Sequence, residues 1–202
     1  MKALAATVAI ATLLLLAGSP AAAQATKVGV ALGAAVPAAG VSSQVGPDLA
    51  LSAWLARPIR GTLEWRAEFG VEQLLMQLDP RFRCAAAGFY CDAHVGVSHV
   101  SGGVQFEPMA GKPFAPYVYV TIGLYHVSPQ AEVTDVGAGT VSTFSSFSEN
   151  NLGMALGSGV RCRLSEGWAV RAELRYSGFR YSPGTVNWAS VVTPTLSISA
   201  RF

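Results

Sequence analysis

Few residues in this chain have the types and spacing for chemistry, and most of them are charges set two apart. In "TLEWRAEFGVE", Glu64, Arg66, Glu68 and Glu72 interleave with Leu63, Trp65, Ala67, Phe69 and Val71. Arg161 and Arg163, then Arg171, Glu173 and Arg175, and finally Arg201 fall in the same phase of later alternating stretches. Every second residue of an extended segment points to one face, so these ten side chains belong to one charged surface. Arginine with glutamate, and almost no lysine, suits bidentate pairing in a confined space better than a wet exterior. Such a network is read as a satisfied polar plug; the functional alternative is a narrow or gated ion path through it. A second group is Cys84 and Cys91 in "RFRCAAAGFYCDAH", spaced for a disulfide in an oxidising compartment. A short loop closed in this way gains about 2 to 3 kcal/mol. A third is "GLYHVSPQAE", where the imidazole of His126 and the hydroxyl of Ser128 share one face. Asp92 and His94 are too few to hold a metal, and no calcium loop, zinc motif or phosphate loop appears, so neither metal nor cofactor is expected.

Eight alternating segments must position these groups. The first, Lys27 to Val36, sets Val28, Val30, Leu32, Ala34 and Val36 against Gly29, Ala31 and Gly33. The second runs from Asp48 to Ala56, and the third holds Glu64 to Glu72. In the fourth, His94 to Glu107, the apolar phase slips between Val97 and Val100; a bulge near Ser98 and His99 would restore it. The fifth, Tyr117 to His126, alternates Val118, Val120, Ile122 and Leu124 with Tyr117, Tyr119, Thr121, Gly123 and Tyr125. The sixth, Asn151 to Leu164, opposes Leu152, Met154, Leu156, Val160, Cys162 and Leu164 to glycines, Ala155 and two arginines. The seventh spans Trp168 to Ser177 and the last Ser190 to Phe202. "RPIRG", "PMAGKP" and "SEG" are short turns, whereas long Gly/Ser/Pro-rich loops fill the other gaps, among them the 128–149 stretch with Phe144 and Phe147.

Composition narrows the setting. Charged residues are 13% of the chain, against about 25% in ordinary soluble domains. The net charge of +2 gives no reason to expect a nucleic-acid partner. Residues 1–25 have one lysine, an apolar run from Ala3 to Ala17, and small residues suited to cleavage after Ala23 or Ala25. This is a secretory signal peptide, the run being shorter than the roughly 20 residues of a membrane helix. The "LAGS" within it resembles a lipobox, but Ser19 replaces the cysteine that would carry lipid, so no lipoprotein is expected. Residues 26–202 make one domain. Trp65 and Trp168 at the short-turn ends, with Tyr176, Phe179 and Trp188 toward the other end, fit the two aromatic girdles of a membrane barrel. A secreted barrel, apolar within and polar without, is the alternative that these features weigh against.

"TLSISARF", with its alternation and terminal Phe202, resembles the C-terminal signal by which bacterial barrels are recognised by their assembly machinery. After a signal peptide and eight strands, the chain resembles the small eight-stranded outer-membrane family that includes the transmembrane domain of OmpA, OmpX and the opacity-type proteins. That resemblance implies an all-β fold, an eight-stranded antiparallel up-and-down transmembrane β-barrel, integral to the bacterial outer membrane and monomeric. Its implied partners are outer-membrane lipid and lipopolysaccharide, the barrel assembly machinery through the last strand, and an extracellular ligand at the long loops. The role expected is structural or loop-mediated interaction, not enzymatic, with a small porin-like channel as the alternative. His126 and Ser128 also resemble the His-x-Ser-Asn motif of the outer-membrane lipid A deacylases, in which the His activates the Ser toward an ester. That likeness implies His126 as base, Ser128 as nucleophile and Glu132 or Glu149 as orienting acid. Pro129 replaces the motif's Asn, and the pair lies on the fifth strand rather than the next-to-last, which makes lipid A hydrolysis the distant alternative.

Overall fold

A computed structural model of the chain describes residues 26–39, 45–76, 89–135, 137–145, 148–181 and 187–202. Residues 1–25 and Cys84 lie outside the described residues, and with them the signal peptide and the disulfide. Eight long strands form a closed antiparallel barrel: β1 (Lys27–Ala39), β3 (Asp48–Arg60), β4 (Leu63–Met76), β5 (Phe89–Phe106), β6 (Phe114–Asp135), β8 (Glu149–Arg163), β9 (Trp168–Tyr181) and β10 (Asn187–Arg201). Each pairs with its neighbours in sequence, and β1 pairs with β10 from Lys27 opposite Arg201 to Ala39 opposite Ser190. Closure leaves no edge among the eight, which is what a strand-built membrane span requires. Two short strands, β2 (Val45–Gly46) and β7 (Thr140–Ser145), extend the wall at the loop end by pairing with β4 and β6. The 128–149 stretch is therefore partly hairpin: β6 runs on to Asp135 and returns through a turn with Gly139 at φ 65°.

The barrel is inside out compared with a soluble protein. Val30, Leu32, Leu49, Leu51, Val118, Val120, Ile122, Leu124, Leu152, Met154, Leu156, Leu174, Leu196 and Ile198 are exposed on its outer wall. Glu64, Arg66, Glu68, Glu72, Glu107, Arg161, Arg171 and Arg175 are buried within it. A wall of aliphatic side chains around ionised ones is stable only where lipid, not water, surrounds it.

Strand β5 carries no bulge. Its ladders to β4 and β6 run without a register shift from His94 to Phe106, so the expected irregularity at Ser98 and His99 is absent. Val95 and Val97 instead point inward, while Val100, Val104 and Phe106 point outward. The phase slip in the sequence marks a change in what fills the barrel, not a change in the backbone. Register shifts occur between Pro37 and Ala39 and between Pro58 and Arg60, beside prolines that have no N–H to give to a ladder.

Candidate functional site

Inward positions change character along the barrel axis. On β4 they read Glu64, Arg66, Glu68, Gly70, Glu72 and Leu74; on β9 they read Arg171, Glu173, Arg175, Ser177 and Phe179. The half toward the short turns holds the charges. The half toward the loops holds a cluster that includes Ala35, Leu74, Val95, Val97, Tyr125, Val127, Phe179 and Val191.

Three connected ion clusters occupy the charged half. At the mouth, Lys27 Nζ contacts Glu64 Oε1 at 2.6 Å and Glu107 Oε2 at 3.0 Å, and Arg161 Nε donates to Glu107 Oε1 at 2.6 Å. Arg161 Nη2 also donates to the carbonyls of Ala110 and Lys112, tying the 107–113 turn to the wall. Deeper in, Arg66 donates to both oxygens of Glu173 and to Glu68, while the hydroxyls of Tyr117 and Tyr119 donate to Glu173 at 2.8 and 2.6 Å. Gln105 joins these two clusters, donating to Glu64 and accepting from Arg66. In the third, Arg175 pairs with Glu68 and Glu72, and Thr193 donates to Glu72.

The boundary between the halves is aromatic. His99 Nε2 accepts from Arg175 at 2.8 Å, and the His99 ring stacks on Tyr125, which stacks on Phe179, each step 5.2 Å between centroids. Room for such large groups comes from the middle of β8, whose inward residues before Arg161 are Gly153, Ala155, Gly157 and Gly159. The rings of Tyr125, Tyr119 and Tyr117 lie where a Cβ at Gly153, Gly157 and Gly159 would stand. Trp54 covers Gly29 in the same way.

Eight of the ten side chains assigned to the interior from sequence are brought together there. Arg163 and Arg201 are not: both are exposed at the short-turn rim, one step beyond the last enclosed position of their strands. Sequence reading missed Lys27, Gln105, Glu107, His99 and Trp54. Glu107 and Gln105 share the inward parity of Ser101, a signal hidden by reading β5 as bulged. Trp65, Trp168, Tyr176 and Trp188 are exposed on the outer wall. Trp65 and Trp168 stand near the short turns, Trp188 lies near the loop end opposite Arg180, and Tyr176 sits between Leu156 and Val192. Phe179 does not join a girdle; its parity with Arg175 turns it inward against Tyr125. His126 and Ser128 lie on the outward side of β6, and His126 Nδ1 bonds Asn150 Oδ1 at 2.9 Å, an amide where the deacylase likeness implied a carboxylate. Glu149 instead accepts from Asn151; the side chain of Glu132 lies outside the described residues.

Residues 9–202 match the family described as outer membrane protein beta-barrel domain. No curated protein matches the chain in sequence. Among solved structures, Neisserial surface protein A is 14% identical with a TM-score of 0.53, covering 88% of this chain and 99% of its own. Ail of Yersinia pestis, in complex with the heparin analogue sucrose octasulfate, is 12% identical with a TM-score of 0.53, covering 89% and 99%. A major outer membrane protein from Thermus thermophilus is 17% identical with a TM-score of 0.53, covering 88% and 99%.

Proposed function

The chain belongs to the outer-membrane β-barrel family and is integral to the bacterial outer membrane; from that premise we propose that it is a non-conducting scaffold whose interior is plugged and whose loops make surface contacts. The observation that carries this reading is the pairing of two unlike fillings in one tube. Ten charges in the lower half sum to zero: Lys27, Arg66, Arg161, Arg171 and Arg175 against Glu64, Glu68, Glu72, Glu107 and Glu173. Above them the apolar cluster gives a hydrated ion nothing to replace its shell. An eight-stranded barrel is just wide enough for side chains to fill. In this reading residues 1–25 are removed on export, Cys84 and Cys91 clip one loop, the strand ending at Phe202 engages the assembly machinery, and the protein works as a monomer among lipid and lipopolysaccharide.

Single-channel recording of the purified protein in a planar bilayer tests the reading. A silent membrane is expected. Discrete steps that change in Glu68→Ala and Arg175→Ala would replace it with the channel reading. Ester hydrolysis is the lesser reading, because Asn150, not a carboxylate, meets His126; lipid A cleavage lost in Ser128→Ala would revive it.

A further inference from the structure

Beyond the loop-end rim the barrel wall continues on fewer strands. On the outward face Val100, Leu124 and Leu152 stand side by side across β5, β6 and β8, and the next outward row is Ser98, His126 and Asn150. That single step from aliphatic to polar marks the edge of the lipid. β5 and β6 stay paired without a break to Phe89 opposite Asp135, and β7 pairs with Gln130 to Asp135, so all of β7 lies past that edge. Three strands thus carry the wall out of the membrane as one sheet.

β7 ends that sheet: among the described residues it pairs with β6 alone. Its sequence, TVSTFS, has neither the proline nor the charges that keep an edge strand from pairing further. Its β-branched and aromatic residues favour the extended form, and Val141 is 60% exposed. The hairpin that presents the edge is fixed. Asp135 Oδ1 accepts from the N–H groups of Gly137 and Ala138, the Asp135 carbonyl accepts from that of Gly139, and Gly139 takes the left-handed φ of 65° that glycine allows. An edge held in advance loses little conformational freedom when a strand is added to it.

Symmetry selects the partner. An antiparallel pair of identical edges has its two-fold axis perpendicular to the sheet. The sheet continues the barrel wall, so that axis lies in the membrane plane and the two barrels point at each other. Copies within one membrane are related instead by an axis along its normal, which sets two tilted edges across one another. On the perpendicular axis either Ser142 or Thr143 stands opposite itself, and Val141 faces Thr143 or Ser145. No like charges meet, and hydroxyl side chains opposite one another are favourable cross-strand neighbours.

We propose that the free edge of β7 is a homophilic contact, pairing antiparallel with β7 of a second copy in a facing membrane. The contact presupposes the reading above, in which the loop end meets other surfaces, and gives that meeting its partner. Six residues a side make a single pair weak, which leaves the protein a monomer in its own membrane, while many pairs between two surfaces add up.

Phosphatidylcholine vesicles carrying the folded protein, followed by light scattering, test the contact. They are expected to cluster, and protein-free vesicles to stay dispersed. Val141→Lys and Val141→Glu should each slow clustering about fivefold, the scale of one cross-strand pair, and mixing the two populations should restore it. Ala138→Lys, the same charge placed on the exposed turn, should leave clustering unchanged. Heat-modifiable gel migration checks that each variant is folded. Clustering unmoved by Val141→Lys, or slowed as much by Ala138→Lys, overturns the proposal. Dispersed wild-type vesicles also overturn it and leave the edge to an extended segment of a different protein; a silent planar bilayer beside that result would keep the scaffold reading without this contact.

Discussion

The two halves of the barrel interior are built on the same strands, yet they obey different rules. In the short-turn half most side chains are specified by their partners: Glu68 has to satisfy Arg66 and Arg175 together, and Glu173 accepts from Arg66, Tyr117 and Tyr119. In the loop-end half Leu74, Val97, Val127 and Val191 need only volume and shape. The difference teaches that stability is distributed unevenly in kind: the charged half tolerates loss of a partner badly, and the apolar half tolerates loss of volume in proportion to the hole. Replacing a complete set of buried charges with apolar groups is often neutral, whereas removing one partner is not.

The largest effect is therefore expected from Glu68→Ala, which removes the carboxylate shared by two buried guanidinium groups and should cost about 3–5 kcal/mol. Urea midpoints followed by heat-modifiable migration would measure it. The double variant Glu68→Ala/Arg175→Ala should cost less than the sum of its singles, with a coupling of about 0.5–3 kcal/mol; additive costs would break the comparison, for the charged half would then be mere filling. Leu74→Ala comes next, at about 2–5 kcal/mol from transfer and cavity together, and a Leu74→Met exchange should recover most of it. A cost of about 1–3 kcal/mol is expected for Gly157→Ala, whose new methyl meets the Tyr119 ring, and Tyr119→Ala in the same chain should remove that overpacking. Arg163→Ala/Arg201→Ala should leave the urea midpoint where it is, since both side chains are exposed; a lowered midpoint would extend the paired network to the rim.

What the sequence made legible follows from this division. β4 was readable because its outward residues from Leu63 to Val71 are all apolar and most of its inward ones charged, so one alternation carried both faces. β5 was not, because Val95 and Val97 line the apolar half while Val100 and Val104 face outward, and an alternation that assumes a uniformly polar interior must break there. Phe179 was misplaced by its type although its parity with Arg175 was in plain view. Arg163 and Arg201 have the right parity but lie beyond the enclosed length, and parity alone does not say where the tube ends. Arg171 was placed inside, yet its missing partner was invisible: which carboxylate meets which arginine depends on how strands more than a hundred residues apart come round, as Arg66 does to Glu173.

The smooth inner side of β8 has a consequence for how the wall comes together. A slip of one residue would swing Leu152, Met154 and Leu156 onto the rings that now lie over Gly153, Gly157 and Gly159, for a strand's two faces exchange with every single step. Mispaired β8 is thus opposed by collision as well as by unmatched charge, which makes a strand with so little inward bulk a check on the register of the whole wall.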